Sequence, residues 1–300
     1  MKQVQQRDAE IASHFSIMSR LLRSARPRFW MYVFGPYLVG ALCGAATPKQ
    51  FFSPLALLFA LFFLFPANLL IYGVNDIFDY ETDRHNAKKR GYETLIPPDQ
   101  RAQMGRATAF FCAPFLGFLP FLPRESLLAL GGFLFFSLFY SAPPIRAKAR
   151  PILDSVFNVL YIFPGVFGYF GCGGNNFSPI LFFSAWAWAM AMHAYSAVPD
   201  ISADNQAKVP TVATFLGLKP TLWFCAALYT FAALGSLAAL RWLSLLLLAI
   251  YLGLMILSLR AGTQSGVLKI YRVFPLVNTL AGAAIFWFVL WGKPAFWPKL

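Results

Sequence analysis

Long apolar runs, interrupted by short polar ones, cover almost the whole chain. Bounded by charge, Pro or Gly, they fall at 29–46, 52–75, 107–122, 126–142, 155–171, 178–198, 218–239, 242–259 and 272–292. Most approach the roughly 20 residues a helix needs to cross a bilayer. They are too long and too uniformly apolar for barrel strands, and lipid offers no partner for an unpaired backbone N–H or C=O. The pattern therefore predicts an all-α, polytopic membrane protein with nine transmembrane helices. It divides the chain into a polar, basic N-terminal segment (1–28), one transmembrane domain (29–292) and a short C-terminal tail (293–300).

Composition agrees. Of 300 residues, 58% are hydrophobic and 12% charged, and 33 are Phe, more apolar side chain than one water-soluble core can hide. A disordered chain, a disulfide scaffold and a collagen-like fibre are excluded. The net charge of +13 has a topological explanation. Lys and Arg divide 20 to 5 between alternate sides of the predicted spans, which places the N-terminus in the cytoplasm and the C-terminus outside a cell (inner) membrane. The basic residues form no stripe interleaved with stacking aromatics, so nucleic acid is not an expected partner. Cys43, Cys112, Cys172 and Cys225 stand far apart, without CxxC pairing, and read as packing residues. Nothing in the sequence names a protein partner; membrane lipid is the expected surroundings.

The acidic residues change the picture. Six of the twelve lie in two short segments, each at the expected cytoplasmic end of a span. In the segment running from Asn75 to Asp83, Asp76, Asp79 and Asp83 are spaced i, i+3 and i+7, which at about 100° per residue sets them within about 60° on one helical face. Asp200 and Asp204 form an i, i+4 pair at the end of the sixth span. Asp76 and Asp200 adjoin apolar helix, where an unpaired carboxylate costs at least ~2.5 kcal/mol. Five carboxylates turned to one cavity repel one another unless a cation joins them. Hard oxygen donors suit Mg²⁺, which binds a few carboxylates together with substrate phosphates. The pattern reads as a magnesium-bridged diphosphate site. Its bland counterpart, a solvated acidic loop, accounts for one such segment more easily than for two.

These residues resemble the UbiA superfamily of intramembrane prenyltransferases. Its NDxxDxxxD motif is met by Asn75, Asp76, Asp79 and Asp83, and its DxxxD motif by Asp200 and Asp204. The resemblance implies a central cavity opening to the cytoplasmic side, and assigns those five aspartates to Mg²⁺ and to the diphosphate of a prenyl donor. The segments 26–30, 68–76 and 192–201 look like the lycopene elongase and hydratase branch, which prenylates a carotenoid. There are departures. Tyr140 is followed by Ser-Ala-Pro-Pro rather than by the YxxxK pattern, so its pairing with a phosphate-binding Lys does not carry over directly, and Lys208 stands where many members have Gly or an acid.

Other polar residues are candidates for the substrate. Arg146 and Lys148 could meet the diphosphate, since such a charge needs cations beyond Mg²⁺; positive-inside bias alone also explains them. Arg26 could line the cavity or anchor a helix to headgroups, and Lys88, Lys89 and Arg90 read as bias. Asn68 and Asn75, seven apart, could both face the site, and Tyr72 could present its ring to an allylic cation. His193, seven residues before Asp200, could take a proton from the product cation or make a structural hydrogen bond. The expected reaction is ionisation of an allylic diphosphate and capture of the cation by a lipophilic acceptor. Spans one to six have no Lys or Arg in their interiors to meet a buried carboxylate, which favours an uncharged acceptor, and the resemblance to the carotenoid branch implies a carotenoid such as lycopene ahead of an aromatic, quinone or tetrapyrrole acceptor. The alternative of another class is an ion-coupled transporter, which usually shows repeated halves and acids at mid-membrane.

Overall fold

The computed structural model describes residues 19–83, 96 and 98–297, without the side chains of 79–83. The elements that form the site are all helices, and the described residues contain no strand. They are α1 (Met31–Gly44), α2 (Pro54–Leu64), α3 (Pro66–Asp83), α4 (Arg101–Cys112), α5 (Arg124–Ser141), α6 (Phe163–Gly171), α7 (Pro179–Ala197), α8 (Ile201–Gln206), α9 (Leu218–Leu240), α10 (Trp242–Ala261), α11 (Gln264–Tyr271) and α12 (Phe274–Trp291).

Six stretches are long and apolar enough to cross a membrane: Pro54–Phe78, Pro98–Phe121, Leu153–Gly171, Leu218–Leu240, Trp242–Ala261 and Gln264–Trp291. The sequence pattern alone predicts nine. The remaining three correspond to α1, which is apolar but has 14 residues, and to α5 and α7, with 18 and 19 residues and more polar composition. Several spans are also broken internally. Pro66 separates α2 from α3 because it has no N–H to continue the ladder, and the Asn68 amide donates to the freed carbonyls of Phe63 (3.1 Å) and Leu64 (3.0 Å). The second carboxylate segment is broken too. α7 stops at Ala197, a 3₁₀ turn covers Val198–Asp200, and α8 then carries Asp204, so Asp200 and Asp204 do not share one regular α-helical face. Pro199 inside that turn removes a backbone donor.

The buried side chains gather in two large clusters. One joins α1, α2, α3, α5 and α6 around Phe59, Phe63, Phe133 and Phe167. The other joins α7, α9, α10, α11 and α12 around Tyr195, Leu222, Tyr229 and Met255. Tyr161 packs against both. Glycine lets backbones meet within the first cluster: a Cβ at Gly40 would stand 1.9 Å from the Gly165 carbonyl oxygen, and one at Gly44 1.9 Å from that of Tyr169. Such small-residue seams hold helices together where lipid supplies no hydrophobic drive. Outward-facing side chains stay apolar, with Phe110, Trp223 and Trp291 at 73%, 63% and 78% exposure.

Candidate active site

The site is built where the chain enters α1 and where α3 ends. Arg26 adopts a left-handed backbone (φ 50°) ahead of the Pro27–Phe29 turn, which swings its side chain toward α3. Its guanidinium donates to Asp76 Oδ1 at 2.8 Å and to Asn75 Oδ1 at 3.4 Å, and lies 4.9 Å from the centre of the Tyr72 ring. Asp76 is buried, at 3% exposure, so this is a charge pair shielded from water. Asn75 turns its amide nitrogen to Ser141 Oγ (3.1 Å), tying α3 to the end of α5. A ring face that already holds a cation in Tyr72 is a face suited to one.

A further segment of chain reaches the same place. After α5 the backbone reverses at Ala142–Arg146, where the Arg146 N–H donates to the Ala142 carbonyl (2.9 Å) and Arg146 is again left-handed (φ 44°). This returns Lys148 to the cluster, in the electrostatic field of Arg26, Asp76 and Asp204 together. Burial first, and then the Arg26 charge, push the Lys148 ammonium down to about 7, against the opposing pull of the two aspartates. Arg146 itself stays exposed. Tyr140, despite its departure from the YxxxK pattern, feels the charges of Asp154, Asp204 and Arg26, and Tyr271 those of Asp200 and Arg28.

The structure thus brings together Arg26, Tyr72, Asn75, Asp76, Lys148 and Asp204. Asn68 is elsewhere: it is fully buried, with its amide hydrogens spent on the α2–α3 break. The α3 backbone runs helically through Asp79 and Asp83, whose side chains lie outside the described ones, as do Lys88, Lys89 and Arg90 entirely. Among the described residues no three carboxylate, imidazole or thiolate groups converge as a metal site.

His193 does not turn to Asp200. Its Nε2 lies 3.5 Å from Asp154 Oδ2, a charge-pair separation without hydrogen-bond geometry, and its ring meets Tyr140 edge-on at 5.9 Å. Asp154 comes from a separate segment of the chain, Leu153–Val156, so residue spacing along α7 could not point to it. Asp154, which the sequence analysis passes over, is completely buried. The signal was available: it is a lone carboxylate adjoining an apolar span, the criterion that picked out Asp76 and Asp200.

Beside this charged end runs a cavity of about 610 Å³ between the two hydrophobic clusters, walled by α1, α6, α7, α9, α10 and α12. None of its lining residues is charged. Along α1 it extends from Met31 to Cys43, about 18 Å at 1.5 Å per residue. The carboxylates are not in its wall; tyrosines join the two. Tyr32, in the cavity wall, meets Tyr161 (ring centres 6.0 Å apart), whose hydroxyl lies 3.3 Å from that of Tyr72.

A charged cluster set beside a long apolar cavity suits a substrate with an anionic head and an apolar tail. The chain belongs to the UbiA prenyltransferase family, whose model matches residues 33–274, and it is accordingly an integral membrane transferase. It is 38% identical over 283 residues to the lycopene elongase/hydratase of Haloarcula japonica, covering 94% of this chain and 95% of that protein. With the lycopene elongase/hydratase of Halobacterium salinarum it is 40% identical over 273 residues, 89% and 96% of the two chains. Solved structures share the fold: a UbiA homolog from Archaeoglobus fulgidus bound to DMAPP and Mg²⁺ superimposes with TM-score 0.68 at 21% identity, over 89% of this chain and 99% of that one. The apo UbiA homolog from Aeropyrum pernix K1 gives TM-score 0.66 at 17% identity, over 89% and 98%.

Proposed function

We propose that the protein transfers an allylic prenyl group from a prenyl diphosphate, with Mg²⁺, to an uncharged polyene such as lycopene. The observation that carries this reading is the junction itself: a cluster of Arg26, Lys148, Asp76 and Asp204 set beside an 18 Å-class apolar cavity without a charged wall residue. Similarity to lycopene elongase/hydratases over nearly the full length supports the choice of acceptor. An aromatic acid would need a cation inside the cavity to meet its carboxylate, and the lining supplies none.

Asp76, Asp79, Asp83, Asp200 and Asp204 are the residues that would hold Mg²⁺, and buried Asp76, whose Oδ1 accepts from Arg26, has the hard oxygen chemistry that fits it. When bound, the metal would neutralise the diphosphate and favour departure of that group. The protein's own residues do the rest. Arg26 and Lys148 meet the diphosphate oxygens that gain charge as the C–O bond breaks, with Arg146 at the mouth. Asn75 fixes the orientation of the Arg26 and Asp76 pair through Ser141. Tyr72 offers its ring to the allylic cation. The apolar cavity keeps out the water that would quench that cation before the acceptor's double bond reaches it.

We further infer nine crossings, the six apolar stretches with α1, α5 and α7 added, and a cytoplasmic charged end with the C-terminus outside, which the 20 to 5 division of basic residues supports. The test is purified protein in detergent with Mg²⁺, labelled dimethylallyl diphosphate and either lycopene or an aromatic acid. Label transferred to lycopene supports the reading. Label found on the aromatic acid alone rejects the acceptor.

A further inference from the structure

We propose that His193, held against Asp154, is the base that takes the proton when the cation on the acceptor collapses to product; this rests on the prenyl-transfer reading above. Position comes first. Along α7, His193 stands between Trp188, in the cavity wall, and the turn that carries Asp200. Its side chain is 16% exposed, so the ring borders open space rather than being sealed in the core. Its Nε2 is the buried nitrogen, facing Asp154 Oδ2 at 3.5 Å, so Nδ1, with no hydrogen bond among the described residues, is the nitrogen left to take a proton. A histidine kept only for structure would spend its second nitrogen on a neighbouring helix as well.

Asp154 supplies what a base needs. It is wholly buried, and its two oxygens accept from the backbone N–H of Ser155 (Oδ1, 2.8 Å) and of Val212 (Oδ2, 2.8 Å). These bonds pin the carboxylate between two segments 58 residues apart and leave its charge directed at the imidazole 3.5 Å away. A carboxylate fixed there orients the imidazole. Asp154 is thus a positioning residue, acting through His193. The dyad is separate from the five aspartates that would hold Mg²⁺, with the Tyr140 ring beside it, and donor ionisation makes no use of it.

The electron count closes. The departing diphosphate keeps the pair of the C–O bond. The acceptor's terminal double bond gives the pair for the new C–C bond and leaves a tertiary cation on the acceptor. Loss of a proton from a neighbouring carbon yields an alkene; addition of water followed by loss of its proton yields an alcohol. In both cases His193 takes the proton and the bonding pair stays with the product.

His193→Gly in the purified full-length protein tests this, with diphosphate release from dimethylallyl diphosphate alone as the first readout and prenylated lycopene as the second. General bases contribute at least about 100-fold, so product formation is expected to fall by about that factor while acceptor-free diphosphate release stays near the wild-type rate. Added imidazoles should restore product in order of their basicity, which a space-filling role would not produce. His193→Gln, which preserves bulk, should be as slow as the glycine variant and should not be rescued. Product formed at the wild-type rate by either variant, loss that no imidazole restores, or rescue that follows size instead of basicity overturns the proposal. Asp154→Asn should lower product formation about 10-fold and spare diphosphate release; equal loss of both removes Asp154 from the dyad. If wild type releases diphosphate but leaves lycopene untouched, the acceptor reading fails by itself. The same comparison on the acceptor that is used then tests His193, because an arenium ion must also lose a proton.

Discussion

Replacing Gly40 by Ala puts the packing of the fold to a quantitative test, because two opposing effects act on one methyl group. Ala is the better helix former, and in the interior of α1 the change should gain about 1 kcal/mol. Against that, the new Cβ would lie 1.9 Å from the Gly165 carbonyl oxygen and 2.5 Å from its carbon. Ordinary carbon–oxygen contacts begin near 3.3 Å, so α1 must retreat from α6 by about 1.4 Å. The obstacle is backbone, which cannot rotate aside, and the retreat would loosen the neighbouring contacts at Gly44 and Gly168. Overpacking of this kind costs about 1–3 kcal/mol, and a backbone clash belongs at the upper end, giving a net loss near 2 kcal/mol. Gly253, inside α10, has nothing within 4 Å of its would-be Cβ, so Gly253→Ala should keep the propensity gain. The two identical substitutions are therefore expected to move stability in opposite directions. Thermal unfolding in detergent, followed by dye labelling of the buried Cys172 and Cys225, measures both. If Gly40→Ala melts at or above the wild-type temperature, or if the two variants shift together, the close approach of α1 and α6 is not what holds this half together.

Arg26→Met should destabilise the protein by about 3–5 kcal/mol by stranding the buried Asp76 charge, and Arg26→Met with Asp76→Asn should recover melting temperature but not diphosphate release; a single variant as stable as wild type refutes the pairing. Lys148 carries its charge below about pH 7 and loses it as pH rises through that value, so donor affinity measured calorimetrically should weaken from pH 6 to 8.5, and Lys148→Arg, which does not deprotonate, should flatten that fall. Ala232→Phe, in the cavity wall, should block transfer to lycopene while leaving acceptor-free diphosphate release unchanged; undiminished transfer would place the acceptor elsewhere. A cysteine at position 175 should label from outside the cell and one at position 85 only after permeabilisation, and the reverse pattern would invert the topology.

The helices were legible in the sequence because a bilayer demands an uninterrupted apolar stretch, and nothing else in the chain imitates one. Their breaks were not. Hydrophobicity does not distinguish i→i+3 from i→i+4 bonding, so the 3₁₀ stretches Ala113–Phe121, Phe157–Tyr161 and Val198–Asp200 passed as continuous helix. A face argument also carried His193 to Asp200, whereas its ring lies against Asp154, which comes from a separate segment that spacing along one helix cannot reach. Asn68 illustrates the same limit, since its seven-residue spacing from Asn75 holds, yet Pro66 frees carbonyls that claim its amide first. The link between Arg26 and Asp76, 50 residues apart, depends on a left-handed turn that local pattern does not announce. Lys148 reaches the site by the same device, since the reversal at Ala142–Arg146 compensates for a spacing that departs from the YxxxK pattern.

Why the charged cluster and the apolar cavity meet along tyrosines follows from what each end must exclude. Charges need polar company, and an allylic cation needs electron density without a nucleophile that water would supply. A tyrosine ring is apolar in bulk yet negative on its face, and its hydroxyl can be satisfied by a neighbour. Along the seam that condition is met residue by residue. Tyr72 and Tyr161 share a hydroxyl contact at 3.3 Å, the Tyr32 hydroxyl accepts from Asn278 at 2.8 Å, and Tyr251 donates to the same Asn278 at 2.9 Å. Each hydroxyl is thereby held by protein, which leaves the ring faces as the surface a cation would meet. Because Tyr161 also packs against both hydrophobic clusters, the two halves of the fold are joined at the point where the proposed chemistry requires water to be absent.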